Sequence, residues 1–134
     1  MAKVDSFWRQ WAPRLLSILR IITAFFFMQH GAQKLFGFLA TRPGPAPFTQ
    51  GWIGGVLELF GGLLILLGLF SRPVAFILSG MMAVAYFQFH GVKGFWPIQN
   101  GGELAALYCF VFLYLSAAGG GPWSLDSIWR RGKH

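Results

Sequence analysis

The sequence predicts an all-α protein, a bundle of four transmembrane helices with the N- and C-termini both cytoplasmic. Three observations carry this reading. Hydrophobic residues make up 55% of the 134 residues and charged residues 11%, against roughly 25% charged in soluble domains. The apolar residues form four runs separated by Pro- and Gly-rich breaks. The Lys and Arg side chains gather beside the ends of those runs on alternate sides. The whole chain, 1–134, reads as one transmembrane domain.

The first run covers 14–40. The preceding Met1–Ala12 mixes charge with Phe7, Trp8 and Trp11, which suits a short segment in the headgroup region, and Pro13 fits the first turn of the helix that follows. The run is longer than an apolar core of about 30 Å requires, so it tilts or emerges at its far end. Arg20, His30 and Lys34 interrupt it and no small-x-small pattern follows, so it does not read as a cleaved signal peptide. Thr41–Gln50, with Pro43, Gly44, Pro45 and Pro47, is a loop.

The second run, 51–70, carries a single carboxylate, Glu58, among apolar and small residues. A charge at the bilayer centre costs roughly 2.5–3.5 kcal/mol, so Glu58 is neutral or has a partner. Gly54, Gly55, Gly61 and Gly62 flank it at helical spacing and turn its face toward the bundle. A short Ser71-Arg72-Pro73 turn makes the third run, 73–91, its antiparallel neighbour. After the loop Val92–Asn100 the fourth run, 101–118, ends at Gly119-Gly120-Gly121-Pro122, and the tail is interfacial and basic.

The N-terminus, second turn and C-terminal tail hold Lys3, Arg9, Arg14, Arg72, Arg130, Arg131 and Lys133, against Arg42 and Lys93 in the other loops. That asymmetry places both termini in the cytoplasm. The net charge of +7 is therefore explained by topology, and no nucleic-acid partner is expected. The lone Cys109 lies inside an apolar run and reads as a packed residue.

The first helix ends QHGAQKLFGF and the third QFHGVKGF, and the helices that follow open GGVLEL and GGEL. This pattern is consistent with two pseudo-repeated helical hairpins related by an axis along the membrane normal.

Polar residues collect toward the outer half. Glu58 is about 10 Å in from the start of its helix and His30 about 13 Å from the end of the first. His90, Asn100 and Glu103 lie near the outer ends of the third and fourth helices. His30 and Lys34 share a face at i, i+4, with Arg20 two to three turns deeper as a counter-ion for Glu58 or a donor to backbone carbonyls. One reading is a set of groups that satisfy each other and fix helix register. The other is a ligand pocket of Arg20, His30, Lys34, Glu58, His90, Glu103 and Asn100. Its aromatic walls would be Phe25, Phe26, Phe27, Phe36, Tyr86, Phe87 and Phe89. A quinone headgroup suits such a pocket, with His30 and Glu58 as candidate catalytic, proton-handling residues. Neither a di-iron Glu-x-x-His spacing nor a thiolate pair is present, so no metal site is assigned. No covalent-cofactor motif occurs, so electrons would come from a partner.

The stretches LRIITAFFFMQHGAQKLFGF, GGVLELFGGLLILLGLFSRP and NGGELAALYCFVFLYLSAAGGGPWSLD closely resemble the DoxX family of bacterial and archaeal membrane proteins. The specific points are Arg20, His30-Gly31, Lys34-Leu35-Phe36-Gly37, Glu58 with Gly61, Gly62 and Gly68, Arg72-Pro73, and the Gly-Pro-Trp-Ser-Leu-Asp that ends at Asp126. The resemblance implies a multi-pass, four-helix protein of the bacterial inner membrane. Some relatives resemble the small subunit of a thiosulfate:quinone oxidoreductase, others are linked to oxidative-stress complexes, and distant ones resemble membrane chaperones. Two functions follow as expectations. One is a quinone-linked or redox-associated subunit working with a partner redox protein. The other is a non-enzymatic scaffold that binds a lipid or a partner's helix. Homo-oligomerisation stays open in both.

Overall fold

The computed structural model describes residues 1–132. Among them the regular structure is entirely helical. Three helices are long and apolar enough to cross a membrane: α1 (Ala2–Phe36), α2 (Gln50–Leu67) and α3 (Ser71–Lys93). A one-turn helix, α4 (Pro97–Asn100), leads into the shorter apolar α5 (Glu103–Ala118), and α6 (Leu125–Arg131) closes the described chain.

Several boundaries differ from those read from sequence, each for a local reason. The N-terminal segment is not separate from α1, because the helix runs unbroken from Ala2 with Pro13 inside it. Strong helix formers such as Ala2, Lys3, Gln10 and Ala12 continue it on the near side of the proline. At its far end α1 stops at Phe36 and not at Ala40. Gly37 takes the left-handed conformation, and its N–H and that of Phe38 return to Gln33 and Ala32, closing the last turn. α2 ends at Leu67 because Gly68 is left-handed with φ 69°. The turn before α3 is therefore Gly68–Phe70, and Ser71-Arg72-Pro73 form the first helical turn, where the missing proline N–H is not needed.

Two helices contain a π-helical turn, Leu57–Gly61 in α2 and Tyr86–His90 in α3. Such turns insert a residue, so the side chains after them rotate relative to those before.

α1 pairs with α2, and α3 pairs closely along its length with α5. The two hairpins meet over a core in which Ala24, Phe27, Ile65, Ala75, Leu78, Phe112 and Leu115 are buried. Phe27 meets Phe112 edge to face at 4.9 Å and Tyr108 at 5.2 Å, a geometry favoured by the ring quadrupoles. Small residues set the α1–α2 distance. A methyl group on Gly31 would lie 2.6 Å from the Leu59 nitrogen and 2.7 Å from the Gly55 oxygen, and one on Gly55 would lie 3.0 Å from Lys34 Cβ. Gly61 faces Leu78 of α3, whereas Gly54 faces open space and does not belong to the packed face on which its spacing placed it.

α3 and α5 run between the same two marks. At one end Gly102 lies against His90 and Tyr86; at the other Gly119 lies against Arg72.

Candidate functional site

The polar residues separate into four groups, and the arrangement follows from which helix each faces. Lys34 and Glu58 meet in the α1–α2 contact, Nζ to Oε1 2.7 Å, with side chains 37% and 6% exposed. Glu58 sits in the π-helical turn of α2, where the glycines bring α1 within reach. Its second oxygen, Oε2, is buried without a partner among the described residues.

His30 takes a different direction. It lies one turn before Lys34, with the two side chains offset by about 40° around the axis, enough to point it at α5. Its ring meets that of Tyr108 edge to face at 6.2 Å. Phe26 and His30, Gln29 and Gln33, and Leu104 and Tyr108 are each four residues apart. Each pair therefore lies on one face, and with Phe38 and Leu39 they line a groove of about 330 Å³ between α1 and α5. His30 has no hydrogen-bond partner there among the described residues. Gln33 donates weakly to the Leu39 carbonyl at 3.4 Å.

His90 and Asn100 form a third group. Asn100, 3% exposed, donates to the Tyr86 hydroxyl at 3.1 Å and the Gly94 carbonyl at 2.9 Å, and accepts from the Gly102 N–H at 2.8 Å. His90 Nδ1 is 3.2 Å from the Asn100 carbonyl oxygen. Both Asn100 N–H donors and its carbonyl oxygen are thus engaged in holding the 86–102 connection. Glu103, one turn further on, is exposed at the start of α5 and joins neither group.

Arg20, 1% exposed, lies about 15 Å from His30 along α1 and does not reach Glu58. Its guanidinium donates to the carbonyls of Gly120 and Trp123, the latter at 2.6 Å, and weakly to Leu66 at 3.5 Å. Ser17 donates to the Gly120 carbonyl at 3.1 Å and accepts from the Trp123 N–H at 3.1 Å. Of the two roles left open for Arg20, the structure gives it the backbone carbonyls. The seven sequence-predicted positions do not form one pocket: Lys34 and Glu58 pair, Asn100 and His90 brace a loop, Arg20 fastens the opposite end, and His30 alone lines the groove. Of the aromatic walls, Phe27 is core, Phe26 lines the groove, and Phe25, Phe36, Phe87 and Phe89 face outward.

Sequence reasoning missed Tyr108 and Asp126. Tyr108 is 7% exposed, and its signal was a hydroxyl-bearing ring one turn after Leu104 in a largely apolar helix. Asp126 accepts from the Phe70 and Ser71 N–H groups, both at 2.8 Å, while its own N–H donates to Gly68 at 2.9 Å. This clamp offsets the cost of a left-handed Phe70, φ 52°.

Among the described residues no three His, Cys, Asp or Glu side chains come together to hold a metal. The class these features define is a multi-pass membrane protein built from two packed helical hairpins, with an internal ion pair and a fastened C-terminal segment. The chain belongs to the DoxX family, whose model matches residues 15–91. It is 43% identical over 128 residues to an uncharacterized protein of Haemophilus influenzae, covering 88% of this chain and 92% of that one. It is 30% identical to an uncharacterized membrane protein of Mycobacterium tuberculosis, covering 85% and 80%. It is also 36% identical over 69 residues to an inner membrane protein of Escherichia coli, covering 47% and 49%. No solved structure matches it. Family and relatives together place the chain in the bacterial inner membrane.

Proposed function

We propose that the chain crosses the membrane four times with both termini in the cytoplasm. We further propose that its α1–α5 groove binds the polar head of a membrane-soluble ligand, a quinone first among the candidates, as a redox-associated subunit. The observation that carries this is the groove itself. It has an apolar lining of Phe26, Phe38 and Leu39, and His30, Gln29 and the Tyr108 ring meet in it. A quinone carbonyl accepts hydrogen bonds, and its two-electron reduction takes up two protons. His30 is the group placed to pass them on one at a time, taking up a proton from water after each transfer, and a partner redox subunit would supply the electrons. The position of Glu58 supports a narrower role than the sequence suggested, because its ion pair with Lys34 lies in the α1–α2 contact.

That same pair favours a second reading, a scaffold for a lipid or a partner helix, since its charges serve the bundle's own register. Gly54 and Gly80, both with open space around them, are then the positions for close approach by a partner.

Gentle extraction from native membranes, followed by native mass spectrometry and quinone extraction, separates the two. The first reading expects one quinone per chain, lost in His30→Ala and retained in Gly54→Leu. Absence of any quinone, with a co-purifying membrane protein lost in Gly54→Leu or Gly80→Leu, overturns it in favour of the scaffold.

A further inference from the structure

At the end of the bundle opposite His30, a second cavity of about 350 Å³ opens between the start of α3, the Gly119-Gly120 turn and α6. It is independent of the groove and lies where the basic chain termini meet the membrane surface. Arg72 and Arg130 line it, with Phe70 and Trp129 on its apolar side; these rings pack edge to face at 5.8 Å and are about half exposed. Asp126 also lines it, but both its oxygens already accept backbone N–H groups, so two guanidiniums stand against one committed carboxylate.

The adjacent turn packs tightly behind this face. A methyl group on Gly119 would lie 3.1 Å from Arg72 Nε, which sets that guanidinium against the turn at the edge of the cavity, and one on Gly120 would lie 2.9 Å from Ser71 Oγ, which is buried away from the cavity.

We infer that Arg72 and Arg130 form an anion site for a phosphate group, with the acidic phospholipid headgroup as its source. The chemistry fits in each part. A guanidinium presents a planar fork of donors that matches phosphate oxygens. Phe70 with Trp129 offers half-exposed rings for the glycerol and first acyl carbons. Basic pockets between helices at this level are a recurrent setting for such headgroups.

The test uses the full chain purified in a zwitterionic detergent. Native mass spectrometry is performed with phosphatidylglycerol, with phosphatidylcholine, and with inorganic phosphate added alone. The expected result is one retained phosphatidylglycerol, no retained phosphatidylcholine, and an affinity about tenfold weaker in the Arg72→Gln, Arg130→Gln double variant. Arg9→Gln, Arg14→Gln is the control for general surface charge and should retain the lipid. Retention of inorganic phosphate without the lipid keeps the anion site and overturns the lipid as its source. Equal loss in both double variants, or no selectivity for the anionic lipid, overturns the site. Both site arginines are exposed, so their replacement leaves the packed core intact, and thermal unfolding of each variant verifies this.

Discussion

Replacing Lys34 by Met isolates the ion pair that joins α1 to α2. With the Glu58 side chain only 6% exposed and Oε2 already unpartnered, loss of the ammonium leaves a carboxylate buried against apolar helix. Breaking a fully buried pair from one side costs about 3–5 kcal/mol. Lys34 is 37% exposed, so part of its field is screened, and the expected loss for Lys34→Met is about 2 kcal/mol. Glu58→Gln is milder, at about 1 kcal/mol, because the freed ammonium can extend its flexible stem toward the headgroups while the amide keeps the shape of the acid. With both replaced no charge is stranded, and the double variant should lose about 1.5 kcal/mol, a coupling of similar size. Reversible unfolding in mixed micelles, followed by tryptophan fluorescence across a denaturing-detergent series, measures all four proteins. Two single losses that simply add, or a Glu58→Gln loss equal to that of Lys34→Met, would refute a paired carboxylate held in a buried turn.

Two further outcomes are expected from the packing. Gly31→Ala places a methyl group within 2.7 Å of backbone on α2, which cannot yield as a side chain end can; a loss of about 1–3 kcal/mol is expected. Gly54→Ala, in open space, should be neutral or slightly stabilising in the same unfolding assay. Asp126→Ala removes two charge-assisted bonds from the Phe70-Ser71 turn, with an expected cost of about 2 kcal/mol. Limited proteolysis should then cut the 119–126 segment faster, and an unchanged digestion rate would show that the Arg20 and Ser17 bonds suffice to hold it.

The helices were legible because each apolar run is bounded by glycine, proline or charge, and the bilayer removes the need for a distinct core pattern. The caps at Gly37 and Gly68 shortened two runs by a few residues, since apolar residues continue past the point at which the backbone turns. The polar site was less legible. Counting turns along α1 set His30 and Lys34 on one face, and they are, but about 40° of rotation is the difference between facing α5 and facing α2. Depth along the axis is given by residue number, whereas the azimuth of each partner helix is set by packing. The π-helical turns add to this, because an inserted residue shifts every later side chain and leaves no mark in the composition. Arg20 was read as a charge in search of a charge. Its partners are carbonyls of a turn that follows a helix a hundred residues later, and a backbone acceptor has no letter in the sequence.

The two ends of the α3–α5 pair bear on the number of crossings. α5 has 16 residues, or about 24 Å of rise, short of a core of about 30 Å, and by length alone it is the weakest candidate for a span. Its neighbours argue otherwise. From Gly102, against His90, to Gly119, against Arg72, α5 covers the same interval that α3 covers from Arg72 to His90. This matched interval supports the fourth crossing proposed above, with α5 lying beside α3 through the same depth. The polar ends are secured independently, by Asn100 and its three hydrogen bonds at one side and by Arg20, Ser17 and Asp126 at the other. Fastening at both ends lets a short helix serve as a span, since local thinning or a tilt of its neighbours costs only fractions of a kcal/mol per ångström.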